Sequence, residues 1–200
     1  EYASHVGDSG EHLLHIINDV LDLAKVEAGE IRLHEAPVDL ALLINDTAAL
    51  VRPPGQDAKV QLATQVDRNL PNLMGDELRI KQILLNLLSN AIKFTEDGLV
   101  VTRAELVDGC ICLTVEDSGK GMNEADIEVA LLPFGQVENE MLTSPSEGTG
   151  LGLPLTRSMA ELHQATMLID SDKGKGTRVR ITFPPERTLL IARDSVAAAG

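Results

Sequence analysis

Hydrophobic and polar positions alternate with two different periods along this chain. Leu13, Ile16, Ile17, Val20, Leu21, Leu23 and Ala24 recur every three or four residues, which predicts a helix within the first 29 residues, ending at Gly29. Asp8-Ser9-Gly10 offers a helix start. Its apolar stripe needs partner helices, from a preceding segment, a second copy of the chain or both. Leu33–Val38 reads as a short connection with Pro37 and then a first strand, before a helix over Asp39–Val51 stopped by Pro53-Pro54-Gly55. Val60–Val66 alternates as a half-buried strand, and Asn69-Leu70-Pro71 turns into the next helix.

That helix, Gly75–Thr95, organises the rest. Asp76 is its expected N-cap, and Asp97-Gly98 lies just past its end. On a wheel, Arg79, Gln82, Asn86, Ser89, Asn90 and Lys93 fall within about 100° of one another. Leu, Ile and Ala fill most of the remainder. A buried amide without a partner costs about 1–3 kcal/mol, so a largely buried stripe of amides needs something polar to face. Taken alone, the stripe also fits an ordinary solvent face.

Strands are predicted at Val100–Leu106 and Cys110–Val115, joined by the hairpin signal Asp108-Gly109. The second runs into Asp117-Ser118-Gly119-Lys120-Gly121. A short helix follows over Asn123–Leu131, then a long polar stretch from Pro133 to Glu147. Gly148-Thr149-Gly150-Leu151-Gly152 opens a helix reaching about His163. Thr166–Asp170 and Arg178–Phe183 read as strands around Gly174-Lys175-Gly176-Thr177. The order predicts an α/β two-layer sandwich: a mixed sheet covered on one face by about three helices, with an additional N-terminal helix.

Composition narrows the chemistry. The 200 residues carry a net charge of −14, which argues against nucleic-acid binding and against an anionic membrane surface. Two cysteines at i, i+2, Cys110 and Cys112, make a poor disulfide and fit a reducing, cytoplasmic setting. None of the five histidines sits in a reactive context; His163 reads as structural or surface. No run approaches the roughly 20 apolar residues of a membrane span.

Three features suit a nucleotide. Asp117 at a strand end offers a carboxylate to an exocyclic amine, and Gly119 and Gly121 allow close backbone approach. Gly148–Gly152 places N–H groups at a helix N-terminus, where phosphate binds readily. Neutral Asn amides such as those of Asn86 and Asn90 can ligate a hard Mg²⁺ ion shared with phosphates, and Lys93 adds a point charge.

The ordered series Asn86-Leu-Leu-Ser-Asn90-Ala-Ile-Lys93-Phe94-Thr95, Asp117-Ser-Gly119-Lys-Gly121, Pro133-Phe134-Gly-Gln136, Gly148-Thr-Gly150-Leu-Gly152 and Gly174-x-Gly176-Thr177 resembles the nucleotide boxes of sensor histidine kinases of two-component systems. These belong to the Bergerat-fold ATPase/kinase superfamily. The resemblance implies three units. Residues 1–29 would be the second helix of a dimerisation and histidine-phosphotransfer hairpin, 30–187 the ATP-binding catalytic domain, and 188–200 a tail.

It further implies ATP and Mg²⁺ as ligands, with Asn90 and Asn86 at the metal and Lys93 at phosphate. Phe94 would flank the adenine, Asp117 would receive its amine, Gly121 would lie near the ring, Gly119 would belong to the same ATP-binding loop, and Thr177 would support that end. Gly148, Thr149, Gly150, Leu151 and Gly152 would hold phosphates and hinge a lid over 133–149. The implied partners are a response-regulator receiver domain and a second copy of the parent protein, which is free to carry a membrane anchor.

The phosphoacceptor His box of the family is absent, so the sequence reads as a fragment with its acceptor histidine upstream and no catalytic residue of its own. Gln136 stands where many relatives carry a lid Arg. Hydrolysing relatives place a Glu where Asn86 stands, so Asn86 favours phosphoryl transfer over an ATP-hydrolysing machine. A nucleotide-binding scaffold that signals by conformation is the other alternative.

Overall fold

The computed structural model describes residues 2–52, 59–136 and 149–189. Helix α1 (Tyr2–Glu27) starts earlier than expected, and Asp8-Ser9-Gly10 lies inside it. One interior Gly costs only about 1 kcal/mol, too little to break a helix whose flanks continue it. Gly29 ends α1 in a Schellman motif: at φ +68° its N–H bonds Val26 O, and Glu30 N–H bonds Lys25 O.

Strand β1 (Ala36–Val38) leads to α2 (Leu40–Val51), capped by the Asp39 carboxylate on Leu42 N–H. Then come β2 (Val60–Val66), β3 (Asn72–Gly75) and α3 (Glu77–Phe94). The Asp108-Gly109 hairpin joins β4 (Gly98–Val107) to β5 (Cys110–Asp117), and both turn residues have positive φ. Helix α4 (Glu124–Ala130) carries a capping box between Asn123 and Asp126. After α5 (Gly152–Leu162) come β6 (Thr166–Asp172), β7 (Gly176–Phe183) and a two-residue β8 (Thr188–Leu189).

The main sheet has the order β2-β4-β5-β7-β6, with β2 parallel to β4 and the other pairs antiparallel. A second sheet, β1-β3-β8, is entirely antiparallel. Strand β3 lies where the sequence suggested only a turn, and β8 lies in the expected tail. Both are too short to show a period, and each is defined by its pairing rather than by local pattern.

Helices α2, α3 and α5 cover one face of the main sheet, as expected. Ile80, Ile83, Leu84 and Leu88 of α3 meet Ile111 and Leu113 of β5 and Ile181 and Phe183 of β7, all buried to within 1%. The other face is polar: Glu116 pairs with both Arg103 and Arg178, and Arg178 approaches Asp170. The guanidinium of Arg178, hydrogen-bonded to Glu116, holds that carboxyl below its usual range.

His163 is fully buried, a structural histidine. Its Nδ1 donates to Met159 O at 2.8 Å and its Nε2 accepts from Asp76 N–H at 3.1 Å, so one tautomer ties the end of α5 to the start of α3. Burial lowers its pKa. The neutral form therefore contributes stability that is complete above about pH 6.5 and is lost as pH falls through the depressed folded value. Between pH 7.5 and 5, the melting temperature should fall less steeply in His163→Gln than in the parent chain. Equal slopes in thermal scans would contradict this role.

Candidate functional site

A single cavity of about 1440 Å³ collects most of the singled-out residues. Its long wall is α3. Asn86, Asn90, Lys93 and Phe94 line it, one turn apart or adjacent, because the apolar rows of α3 are fixed in the core on the opposite side.

The polar stripe of α3 is divided between two jobs. Arg79 Nη1 and Gln82 Nε2 both reach Asp22 Oδ2 of α1, at 2.7 and 3.1 Å. This clasp docks α1 on the domain, with Leu23 and Asp19 buried beside it. The remaining apolar stripe of α1 (Leu13, Ile17, Val20 and Leu21 among it) stays exposed. Further along α3, the amides face the start of α5. Asn86 Nδ2 donates to Gly152 O at 3.4 Å, and a Cβ on Gly152 would lie 3.5 Å from Asn90 Nδ2.

Among the described residues no side chain caps α5. Leu151 N–H is taken by Thr149 Oγ1, and Phe134 N–H bonds Gly150 O. The first turn of α5 lies beside Asn86 and Asn90, and its N–H groups at Gly152 and Leu153 (Pro154 has none) favour an anion. Thr149, Gly150 and Gly152 line the cavity. Leu151 does not: its side chain is wholly buried and anchors the loop from behind. Gly148 and the stretch 137–148, most of the expected lid, lie outside the described residues; Gln136 lines the cavity.

At the other end sits Asp117. Its Oδ1 accepts from Gly119 N–H at 2.8 Å and Thr177 N–H at 3.2 Å. Both bonds fall on one oxygen, leaving Oδ2 for a donor in the cavity. Burial raises the pKa of this carboxyl, the Gly119 and Thr177 N–H groups lower it, and neighbouring Glu116 raises it again. Gly119 acts through that N–H and, with Leu151, lies behind the wall rather than on it. Gly121 does line the cavity. It has φ +65°, and a Cβ there would fall 1.9 Å from Asp172 O. Thr177 and Val179 complete this end.

Two contributors had no sequence signal. Ser171 of β6 looks like any polar strand position. Its hydroxyl accepts from Met122 N–H at 2.8 Å, donates to Gly176 O at 2.9 Å and lies 3.0 Å from Thr177 Oγ1. It locks the Asp117–Gly121 loop to the β6–β7 hairpin. Ser171→Ala should loosen this end, weakening adenosine-containing ligands by about tenfold for the loss of this hub. Calorimetric titration checks this, and unchanged affinity would assign Ser171 no part in the site. The second contributor is Lys120, whose Nζ lies 4.5 Å from the Phe94 ring centroid.

The arrangement fits a magnesium nucleotide. An anion-favouring helix end faces two side-chain amides. A half-buried carboxylate with an unused oxygen stands at the far end, beside a glycine where a side chain would strike backbone. Among the described residues no group of three or more His, Cys, Asp or Glu could hold a metal; the amide oxygens of Asn86 and Asn90, which line the cavity, are of the hard type that suits Mg²⁺. No described helix is long and apolar enough to cross a membrane.

Comparison with known proteins gives the family of this chain. Residues 75–187 match the family described as histidine kinase-, DNA gyrase B- and HSP90-like ATPase. The cell-division control histidine kinase PdhS of Brucella ovis is 39% identical over 94% of this chain and 19% of its own length. The chain thus spans about a fifth of the curated relatives it matches. Full-length ShkA, solved in complex with AMPPNP, superposes with a TM-score of 0.80 at 32% identity, covering 94% of this chain and 39% of ShkA. The Acinetobacter baumannii histidine kinase AdeS shares the fold at a TM-score of 0.72 and 21% identity, over 90% of this chain and 82% of AdeS.

Proposed function

Because the chain belongs to the histidine kinase-, DNA gyrase B- and HSP90-like ATPase family, we propose that it is the ATP-binding unit of a sensor histidine kinase. The observation that carries this reading is the pairing, in one cavity, of the Asp117 carboxylate with the Asn86–Asn90 amides facing the start of α5. Asp117 Oδ2 accepts the exocyclic amine of adenine. Asn90 and Asn86 would hold Mg²⁺, which would supply charge neutralisation for the phosphates. Lys93 and the first-turn N–H groups of α5 hold the phosphates.

With the nucleotide fixed at both ends, the γ-phosphoryl is presented to a histidine imidazole nitrogen. A P–N bond forms as the bond to the ADP oxygen breaks, and ADP leaves. Such a transfer relies on positioning and charge more than on an acid or base of this domain. Asn86 supports transfer over hydrolysis, because a neutral amide cannot deprotonate water. The phosphoryl group then passes to an aspartate of a response-regulator receiver domain. The exposed stripe of α1 supports assembly with partner helices as a homodimer, and the net charge of −14 supports partners other than nucleic acid.

Titration tests the reading. Mg-ATP should bind one-to-one, and Mg-GTP, whose ring presents a carbonyl to Asp117 instead of an amine, at least about tenfold more weakly. Equal affinity for both would remove Asp117 from base recognition, and no binding of either would remove the nucleotide site.

A further inference from the structure

We propose that Asp22 is a latch: its clasp on Arg79 and Gln82 holds α1 across one end of the cavity, and phosphoryl transfer requires that clasp to open. This rests on the kinase reading above but concerns residues to which that reading gives no role. Both donors converge on one oxygen. Arg79 Nη1 and Gln82 Nε2 reach Asp22 Oδ2 at 2.7 and 3.1 Å, and Arg79 Nη1 also donates to Gln82 Oε1 at 3.0 Å. Among the described residues of α1, Leu23 is the one buried hydrophobic side chain, with Val26 packed beside it. Asp19 is buried there too and has an interaction of its own. A dock with so little apolar area depends on its charge-assisted bonds.

At about 100° per residue, Asp19, Asp22, Leu23 and Val26 share one side of α1, whereas the exposed Leu13, Ile17, Val20 and Leu21 centre about 150° away. A helix packed on that exposed stripe therefore lies on the far side of α1 from the catalytic unit. Asn18, Asp19, Asp22 and Lys25 line the cavity. Their anchor, Arg79, precedes Phe94 by about 22 Å along the axis of α3, and the Phe94 carbonyl meets the loop that follows Asp117. So α1 stands at the end of the cavity remote from the Asp117 carboxylate, beyond Asn86. A γ-phosphoryl group directed past Asn86 meets α1, while an imidazole on a helix beyond α1 is kept from it. Transfer needs the reacting atoms within contact distance, so α1 has to leave first. The clasped form binds nucleotide without transferring it, and transfer comes from the fraction of molecules with the clasp open.

Label from saturating γ-labelled Mg-ATP is followed onto a histidine-bearing helical hairpin, and ATP affinity is titrated on the same proteins. Asp22→Ala should raise the open fraction, and with it the transfer rate, by about tenfold, as expected for lost bonds to a charged group. ATP affinity should stay within about twofold. Alanine preserves the helix, so only the clasp is removed. Gln82 can offer its carbonyl in place of its NH₂, so exchanging the charges in Asp22→Arg with Arg79→Asp should return the rate to within roughly threefold of the parent chain. Hydrogen exchange over residues 18–26 should quicken in Asp22→Ala and recover in the exchanged pair. Equal transfer rates in the parent chain and Asp22→Ala would overturn the proposal. So would a slower rate, which would make the clasp part of the transferring arrangement, and so would a loss of ATP affinity, which would mark damage to the cavity. ATP bound with no label transferred by any of these proteins would end the kinase reading, and this proposal with it.

Discussion

Asp117→Asn is expected to weaken ATP binding by about 100-fold or more while leaving the unliganded protein at least as stable as the parent chain. The substitution preserves shape and keeps an oxygen for the Gly119 and Thr177 N–H groups. It replaces the unused Oδ2 acceptor with an NH₂ donor, which would oppose the adenine amine donor to donor. Loss of a hydrogen bond to a charged group costs about 1.5–3 kcal/mol, and the opposed donors add to it.

The stability of the unliganded form moves the other way. Burial raises the folded pKa of Asp117, so its contribution to stability is complete below the usual carboxyl range and is lost as pH rises through the folded value. Above that value the amide removes a cost, and at acid pH the two proteins converge. Thermal scans at pH 4 and 7.5 alongside ATP titration check both halves. A variant that loses stability at pH 7.5 together with affinity would make Asp117 a structural residue.

Gly121→Ala should cost about 3 kcal/mol, roughly 6–12 °C in Tm for a chain of this size, and abolish measurable ATP binding. A Cβ at this position meets Asp172 O at 1.9 Å and Gly176 O at 3.0 Å, and the φ of +65° is itself unfavourable for alanine. The loop could relieve the overlap only by leaving the β6–β7 hairpin, which breaks the Met122–Ser171 bond. Gly174 provides the control: its φ is +80°, but nothing lies within 4 Å of a Cβ there. Gly174→Ala should therefore cost only the conformational part, about 1–2 kcal/mol, and keep ATP affinity. Equal losses in the two variants would show that backbone strain, not the closeness of Asp172, decides the effect.

Much of this was legible in the sequence because its signals are local. The period of α3, the Asp76 cap, the Asp108-Gly109 turn and the glycines beside Asp117 each announce themselves within a few residues. What was hidden is defined by partners distant in sequence. β3 and β8 exist only through pairing. Ser171 gains its role from Met122 and Thr177, 49 positions before it and six after. Two of the six residues of the α3 stripe, Arg79 and Gln82, serve α1 through Asp22, and no helical wheel distinguishes those two from Asn86 and Asn90. Lys120 was visible as a letter within a glycine motif, but its position over Phe94 depends on two backbone bonds across the loop.

The most direct measurement supplies γ-labelled ATP and magnesium to the chain together with a histidine-bearing helical hairpin, and follows the label. Acid-labile label should appear on the hairpin histidine with the parent chain and be lost with Asp117→Asn. Label released only as inorganic phosphate, with none on the hairpin, would contradict histidine phosphorylation and return the chain to the hydrolysing members of its family.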